Sequence, residues 1–155
     1  MAGKLKSEIK QTKPFASVQE EVVLSMMRTA DQLAVPITEL LREAGLSLSQ
    51  YNVLRILRGA DAEGLPCGEI SERMVRRDPD LTRLLDRLET RGLVTRSRGI
   101  TDRRVVRASI SDQGLRLLES LDEKMDAAVR GTLAHMPKAR LKALCDLLEE
   151  ARANG

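Results

Sequence analysis

Apolar residues recur every three or four positions over most of this chain, which is the spacing of amphipathic helices. The first such stripe runs from Pro14 to Gly45 and predicts a long helix. We expect a break or kink at Pro36, because proline lacks an amide proton and its ring crowds the preceding turn. The apolar positions before that point are Val18, Val22, Val23, Leu24, Met27, Ala30, Leu33 and Ala34. Residues 1–13 are polar, contain four lysines and are predicted to form a flexible basic arm.

Shorter helices are predicted next. Ser47 and Gln50 have the spacing of a capping box, in which each side chain accepts a hydrogen bond from the other residue's backbone amide. The helix that they start is predicted to end near Gly59, and Pro66 is predicted to open another. The apolar positions of that second helix are Ile70, Met74 and Val75.

A third short helix has its own start and stop signals. Asp78 is predicted to cap it, Pro79 suits its first position, and Gly92 suits the residue just past its end. The positions predicted to be buried are Leu81, Leu84, Leu85 and Leu88. The positions outside that stripe are Thr82, Arg83, Asp86, Arg87 and Thr90. A polar-faced third helix after two others with short connections is the arrangement of a helix-turn-helix.

Two short extended runs follow this helix, over residues 93–98 and 105–110. In the second run Val106, Ala108 and Ile110 alternate with Val105, Arg107 and Ser109, as in a half-buried strand. The segment between the runs, residues 99–104, predicts a charged hairpin tip. A recognition helix followed by a basic hairpin predicts a winged helix-turn-helix.

Beyond the hairpin, Ser111 is predicted to cap the longest helix, of about 24 residues or roughly 36 Å. Its apolar positions are Leu115, Leu118, Leu121, Met125, Ala128 and Val129. Pro137 is predicted to begin a last helix, with Leu141, Leu144, Leu147 and Leu148 on one face. A reading head of about 60 residues offers too little core to cover these stripes. The terminal helices are therefore predicted to pair with a second copy, and a two-fold protein suits palindromic DNA.

Positive charge is concentrated in one part of the chain. The segment from Arg73 to Arg107 holds eleven arginines, no lysine and five acidic residues, a net charge of +6, whereas the whole chain carries only +3. Guanidinium groups pair bidentately with phosphate and with guanine. A local basic field in a nearly neutral protein is typical of nucleic-acid binding. The alternative is an ordinary solvated basic face, which the concentration of arginine in one helix and one hairpin disfavours.

We therefore predict contacts with duplex DNA from nine residues: Arg76, Arg77, Asp80, Thr82, Arg83, Arg87, Arg98, Arg103 and Arg104. Asp102 is predicted to brace the wing so that Arg103 or Arg104 enters the minor groove, where negative potential attracts arginine. A routine surface pair is the alternative for Asp102. Two roles stay open for Asp80: accepting a hydrogen bond from cytosine, or favouring the helix N-terminus through its charge.

The motifs of this segment occur in a recognisable order. They are Thr82-Arg83-Leu84-Leu85-Asp86-Arg87-Leu88-Glu89, Arg91-Gly92-Leu93-Val94, Asp102-Arg103-Arg104 and Ser111-Asp112-Gln113-Gly114. Their order and spacing resemble the MarR (multiple antibiotic resistance regulator) family, from about Pro14 to the C-terminus. Asp80 departs from the family pattern, which more often has Ser or Thr there. The resemblance implies a homodimer that represses until a small ligand or an oxidant changes the spacing of its two heads. It places a ligand pocket between the dimer helices and the reading head, which we expect to be aliphatic because aromatic residues are few.

Composition disfavours other classes of protein. Only Phe15 and Tyr51 are aromatic, which argues against modules that stack single-stranded nucleic acid. The chain has one histidine, His135, no glycine-rich phosphate loop and no nucleophile with a recognisable base, so we expect no enzyme, cofactor or metal site. No apolar run approaches the length of a signal peptide or a membrane span. We expect a soluble cytoplasmic protein with no membrane partner.

Two cysteines are too few for a disulfide framework and fit a reducing compartment. Cys67 sits near a helix start, where a thiolate is stabilised, so a thiol-based redox-sensing regulator is one alternative. We favour the other interpretation, a small buried cysteine. Cys145 lies among the leucines of the last helix and is predicted to serve in packing.

These patterns predict an α+β, mostly α, winged helix-turn-helix with long N- and C-terminal dimerisation helices. The single domain spans residues 14–155, with dimerisation helices in 14–45 and 111–151 and the winged helix-turn-helix in 47–110. The predicted function is a sequence-specific duplex-DNA-binding transcriptional regulator, acting as a homodimeric, ligand-responsive repressor. Besides the thiol sensor, a winged-helix protein that makes architectural or protein contacts without base readout remains an alternative.

Overall fold

The computed structural model describes residues 3–153, which form helices around a small three-stranded antiparallel sheet. The helices are α1 (Leu5–Glu8), α2 (Val18–Glu43), α3 (Leu48–Arg58), α4 (Cys67–Arg73), α5 (Leu81–Thr90), α6 (Asp112–Thr132) and α7 (Lys138–Arg152). The strands are β1 (Leu65–Pro66), β2 (Val94–Arg98) and β3 (Val106–Ile110). This is the predicted fold class: a helix-turn-helix of α3 to α5, a hairpin wing of β2 and β3, and long terminal helices.

The helix α2 runs without interruption for 26 residues, so a break at Pro36 is wrong, whereas the alternative, a kink, stays a prediction. Pro36 is exposed, and so is Gln32, whose carbonyl loses its helical partner to the proline. Water can therefore solvate that carbonyl, which lets the helix continue. The predicted flexible arm contains the helical turn α1, whose Leu5 side chain is buried. Its flexibility stays a prediction.

Two of the predicted helix starts can be compared with the structure. The capping box of α3 is present: the Ser47 hydroxyl accepts from the Gln50 amide at 3.1 Å, and the Gln50 side chain accepts from the Ser47 amide at 2.9 Å. The cap predicted for α5 was wrong by two residues, because Asp80 caps this helix, not Asp78. The Asp80 carboxylate accepts from the Arg83 amide at 3.3 Å, whereas Asp78 accepts from the Asp80 amide at 2.9 Å and forms the preceding turn.

The sheet has β3 at its centre, antiparallel to β2 on one side and to β1 on the other. The hairpin register runs from Val94 opposite Ile110 to Arg98 opposite Val106. Val106 is exposed because it lies at the tip end of this hairpin, away from the core. The strand β1 was not predicted, since two residues carry no alternation. Val75 also differs from its prediction: it follows α4 and is 93% exposed.

One hydrophobic cluster joins α3, α4, α5 and the sheet to the adjoining parts of α2 and α6. Its least exposed large side chains are Leu41, Val53, Leu54, Leu57, Ile70, Leu88, Val94 and Leu118. All four leucines of the α5 stripe are buried, as predicted. By contrast, α7 contains no buried residue and α2 contains only Leu41. Cys145 on α7 is exposed, so its predicted packing role is not met within one chain.

Candidate nucleic-acid interface

The helix α5 presents a polar face to solvent because its leucines occupy the opposite face. The residues on this outer face are all exposed: Thr82, Arg83, Asp86, Arg87 and Thr90. Its N-terminus is capped by Asp80 and its C-terminus is followed by Gly92 at a φ of +72°. The helix therefore begins and ends at defined residues and has one buried and one exposed face.

The eleven arginines from Arg73 to Arg107 divide into two groups. Five donate hydrogen bonds to the protein itself: Arg73, Arg91, Arg96, Arg98 and Arg107. Among residues 3–153, the other six have guanidinium groups with no hydrogen bond or ion pair: Arg76, Arg77, Arg83, Arg87, Arg103 and Arg104. The second group lies on α5, in the segment before it and at the wing tip. All six are exposed, so their charge faces solvent where a polyanion can approach.

Arg96 ties the wing to the recognition helix. It lies on β2, is 24% exposed at its side chain, and donates to the carboxylates of Asp86 and Glu89 on α5. These hydrogen bonds hold the pKa of Glu89 below its ordinary value and raise that of Arg96. A lowered carboxyl pKa means that the contact stabilises the fold at neutral pH, and that this contribution is lost as the pH falls through the lowered value. Arg96 thus pairs with both acidic side chains of α5 and offsets part of their negative charge.

The wing tip is built from hydrogen bonds to the backbone. The Asp102 carboxylate accepts from the Arg104 amide at 3.0 Å, and the Arg98 guanidinium donates to the Arg103 carbonyl at 2.9 Å. The Gly99 amide also donates to the Val105 carbonyl at 2.8 Å. These contacts shape the turn that carries Arg103 and Arg104. Arg98 was predicted to contact DNA, and in this structure its guanidinium is engaged inside the wing.

A shallow groove of about 220 Å³ runs between the start of α3 and α5. Arg83 and Arg87 of α5 lie on one side of it, and Ser47 and Gln50 of α3 lie on the other. Gln50 was not among the predicted DNA contacts. Its capping box, which the sequence shows, places it in the first turn of α3, the first of the three helices of the helix-turn-helix. Asp80, one of the predicted contacts, also borders this groove, but its carboxylate is occupied by the α5 cap.

A larger cavity of about 510 Å³ lies between α2, α3, α6 and the segment that joins α4 to α5. Its apolar lining is mainly aliphatic: Ile37, Leu48, Tyr51, Val75, Pro79, Met125 and Val129. Three arginines, Arg55, Arg76 and Arg77, also line it, and the Arg55 guanidinium lies 5.9 Å from the centre of the Tyr51 ring. The volume is within the range of small-molecule sites.

The remaining candidate groups form no second site within residues 3–153. Cys67 is half-buried against the core, and neither cysteine is in a disulfide. In that part of the chain no three potential ligand side chains are grouped as a metal ion would need. No helix in the same range is long and apolar enough to cross a membrane.

Comparison with known proteins identifies the chain. The model of the MarR family matches residues 46–106, the segment that holds α3 to α5 and the wing. A crystal structure of a MarR transcription factor from Planctomyces limnophilus is 38% identical, covers 88% of this chain and 98% of that chain, and has a TM-score of 0.67.

Two further relatives cover a similar length. CouR from Rhodococcus jostii RHA1, in a crystal structure bound to p-coumaroyl-CoA, is 25% identical over 88% of this chain and 95% of that one, with a TM-score of 0.73. The homoprotocatechuate degradative operon repressor of Escherichia coli is 24% identical over 89% of this chain and 92% of its own. With its winged helix-turn-helix and this similarity over most of its length, the chain belongs to the MarR family of DNA-binding transcriptional regulators.

Proposed function

We propose that the protein represses transcription as a homodimer on a pseudo-palindromic operator, and that a small amphipathic anion relieves this repression. In each subunit α5 lies in the major groove and the wing reaches the neighbouring minor groove. Arg83, Arg87 and Thr82 contact bases and phosphates, and Arg103 and Arg104 occupy the minor groove. Arg76 and Arg77 contact the backbone before α5. Repression is proposed by analogy with the homoprotocatechuate degradative operon repressor of Escherichia coli, to which the chain is similar over most of its length.

One observation carries this proposal: the arginines between Arg73 and Arg107 divide into a group with hydrogen-bond partners in the protein and a group without. Six guanidinium groups lack a partner in the described part of the chain, and all lie on α5, just before it or at the wing tip. Exposed guanidinium groups on a helix and a hairpin match the two grooves of duplex DNA, since guanidinium pairs bidentately with guanine in the major groove and favours a narrow minor groove. Of the other five, Arg91, Arg96, Arg98 and Arg107 hold α5, the wing and the adjoining loop in place, whereas Arg73 pairs with Glu69 inside α4.

The effector is proposed from the 510 Å³ cavity. Its aliphatic walls suit an apolar body, and Arg55, Arg76 and Arg77 suit an anionic group. The bound p-coumaroyl-CoA of CouR is an anion with an apolar part, which supports the same class here. Because Arg76 and Arg77 line the cavity and directly precede the turn that caps α5, a ligand there bears on the position of the recognition helix.

The operator is tested by selecting bound sites from random duplex DNA. We expect enrichment of two inverted half-sites at a fixed spacing. Uniform recovery of all sequences, with binding that depends only on salt, would support architectural binding without base readout instead.

Arg83→Ala then tests base contact within that operator. A lost bidentate contact costs about 1–3 kcal/mol and relaxes selectivity at one base pair, so the variant should narrow the gap between operator and random DNA. Arg73→Ala is the matched control: it removes the same charge from an arginine that pairs with Glu69 outside α5. Equal weakening of operator and random DNA by Arg83→Ala would show that Arg83 contacts only phosphate.

The effector is tested with a panel of six- to twelve-carbon and aryl carboxylates, each paired with its neutral amide. We expect at least one acid to raise the melting temperature and to lower operator affinity more than its amide does. Arg55→Gln should shrink that difference, whereas Arg116→Gln, an exposed arginine outside the cavity, should not. Binding of amides as tightly as acids would contradict the anionic class.

The thiol alternative rests on the position of Cys67 at the start of α4, but Cys67 is half-buried against the core and no second cysteine lies in that cluster. Loss of DNA binding on peroxide treatment in the wild type, but not in Cys67→Ser, would revive it.

A further inference from the structure

The helices α2 and α5 end with the same backbone arrangement, and their C-termini lie close together. Each is followed by a glycine with positive φ, Gly45 at +70° and Gly92 at +72°. In each case the glycine amide and the next amide donate back to carbonyls of the last helical turn. These bonds are Gly45 to Arg42, Leu46 to Leu41, Gly92 to Glu89 and Leu93 to Leu88. This is the Schellman arrangement, which satisfies part of a helix C-terminus and leaves the last carbonyls outside the helix to be satisfied elsewhere.

Arg91 joins the two ends. It is the C-cap residue of α5, and its side chain reaches the C-terminus of α2. One guanidinium nitrogen, Nη1, donates to the Gly45 carbonyl at 2.6 Å, and Nη2 donates to the Ala44 carbonyl at 3.2 Å. The C-terminus of a helix carries partial negative charge, so a cation is favoured there. The planar guanidinium also holds both carbonyls in one fixed geometry, which an ammonium group cannot do.

The connection is specific to this side chain. Among residues 3–153, no other hydrogen bond or ion pair links α2 or its C-terminal turn to α5. The acidic side chains of α5 that are paired bind Arg96 on the wing instead. Arg91 therefore supplies the side-chain hydrogen bonds that link the end of α5 directly to the end of α2, beside the hydrophobic core that both helices share.

We propose that Arg91 is a positioning residue that fixes the direction of the recognition helix relative to the dimerisation helix, and so sets the half-site spacing that the dimer accepts. It acts through α2 and makes no base contact. The inference rests on the proposed function, because spacing has meaning only for two paired heads. Each added base pair moves a half-site by about 3.4 Å and rotates it by about 35°. A rigid connection between α2 and α5 restricts the dimer to one half-site spacing. A loosened connection also allows spacings that are one base pair longer or shorter.

The experiment uses the full chain and a duplex library in which two selected half-sites are separated by spacers of varied length. Four proteins are compared: wild type, Arg91→Met, Arg91→Lys and Arg73→Met. Methionine removes the donors and the charge but keeps a long side chain, whereas lysine keeps the charge without the planar fork. Arg73→Met removes the same charge from the same basic segment without touching α2. Circular dichroism and sedimentation verify folding and assembly of each protein.

We expect wild type and Arg73→Met to select one spacing. Arg91→Met should lose about two- to tenfold of the discrimination against neighbouring spacings, the size of a net contribution from hydrogen bonds of this kind. Arg91→Lys should lie between, and base preferences within each half-site should be unchanged in all four. If Arg91→Met does not fold, Arg91→Lys still has to broaden the spacing profile.

Two results would overturn the inference. One is a wild-type spacing profile in both Arg91 variants. The other is uniform weakening at every spacing with a salt slope reduced by about one, the signature of a phosphate contact. If the wild type itself selects single half-sites with no preferred spacing, the proposed palindromic operator fails, which is a distinguishable result.

Discussion

The sequence leaves two roles open for Asp80 at the start of α5: stabilising the N-terminus of the helix, or accepting a hydrogen bond from a base. Its carboxylate accepts from the Arg83 amide at 3.3 Å, so it satisfies one of the free N–H groups of the first helical turn. It also borders the groove between α3 and α5 that Arg83 and Arg87 line. The geometry favours the capping role, since the carboxylate already has a backbone partner.

Asp80→Ala should therefore lower the free energy of unfolding by about 1 kcal/mol, the usual cost of a lost N-cap. Asp80→Asn should keep most of the wild-type stability, because asparagine caps a helix equally well. The measurement is urea denaturation of both variants at neutral pH. Asp78→Ala is the control for a neighbouring aspartate that caps no helix. Operator selection with Asp80→Asn should give the wild-type half-site. A change of preference at a single base pair, at unchanged stability, would mean that Asp80 reads a base.

Arginine shows the limit of sequence reasoning at this scale. Composition and position were enough to predict a basic reading surface, because eleven arginines in one segment need no structure to be noticed. Their division into engaged and free groups could not be predicted, because the fold decides which partner each arginine meets, and the partners of Arg91 and Arg107 lie far away in sequence. Arg91 binds carbonyls at positions 44 and 45, and Arg107 binds the carbonyl of Gly64. The hydrogen bond of Arg98 to the Arg103 carbonyl was not predicted either, and the contact of Arg98 with DNA stays a prediction.

At the scale of the element, the join between α6 and the sheet requires a residue without a side chain. Gly114 lies in the first turn of α6, and a Cβ there would be 2.7 Å from Cγ1 of Ile110 and closer still to the Leu93 carbonyl oxygen. The Ser111 hydroxyl holds this turn in place by accepting from the Gly114 amide at 3.0 Å and donating to the Gly92 carbonyl at 2.6 Å. The wing is thus fixed directly against the start of the long C-terminal helix.

Gly114→Ala should destabilise the fold by about 1–3 kcal/mol through overpacking, since the closest atoms are backbone and a branched core side chain. Gly131→Ala, in the same helix, has nothing within 4 Å of the new Cβ. It should raise stability by up to about 1 kcal/mol, because glycine is the poorer helix former. Both are measured by thermal and urea unfolding. A Gly114→Ala variant as stable as Gly131→Ala would show that the α6–sheet contact yields at no cost.

Helix starts and buried faces were predicted correctly where residues close in sequence determine them. The capping box fixed the start of α3, the leucine stripe fixed the buried face of α5, and Ser111 fixed the start of α6. Errors arose where tertiary surroundings decide. Pro36 is tolerated because its side of α2 is exposed, and β1 exists only because β3 offers an edge to pair with. Neither fact can be inferred from the few residues involved.

In the whole molecule, the reading head and the terminal helices differ in how much of their apolar surface one chain buries. The reading head buries most of its leucines, whereas α2 and α7 together bury only Leu41. Exposed large apolar residues of the terminal helices are Val18, Val22, Val23, Met26, Met27, Val35, Val129 and Leu147. Exposed apolar residues grouped on the same helices support the proposed association with a second copy. The apolar stripes of these helices predict from sequence alone that a second copy is needed, although their partners cannot be read from one chain.

We predict that the exposed terminal helices make the protein a homodimer. Sedimentation at micromolar concentration should give twice the chain mass of 17.2 kDa. Leu147→Asp should shift the protein toward monomer, because an aspartate in an apolar interface loses its hydration without gaining a partner. Leu147 is 62% exposed within one chain, so the substitution leaves the core of the subunit intact. Ile100→Asp is the matched control: Ile100 is 89% exposed at the wing tip, away from the terminal helices, and its loss should leave the mass doubled. Operator affinity of Leu147→Asp should fall together with the dimer fraction, since two weakly held heads bind as separate half-site readers. A wild-type monomer that binds the full operator tightly would rule out the proposed dimer.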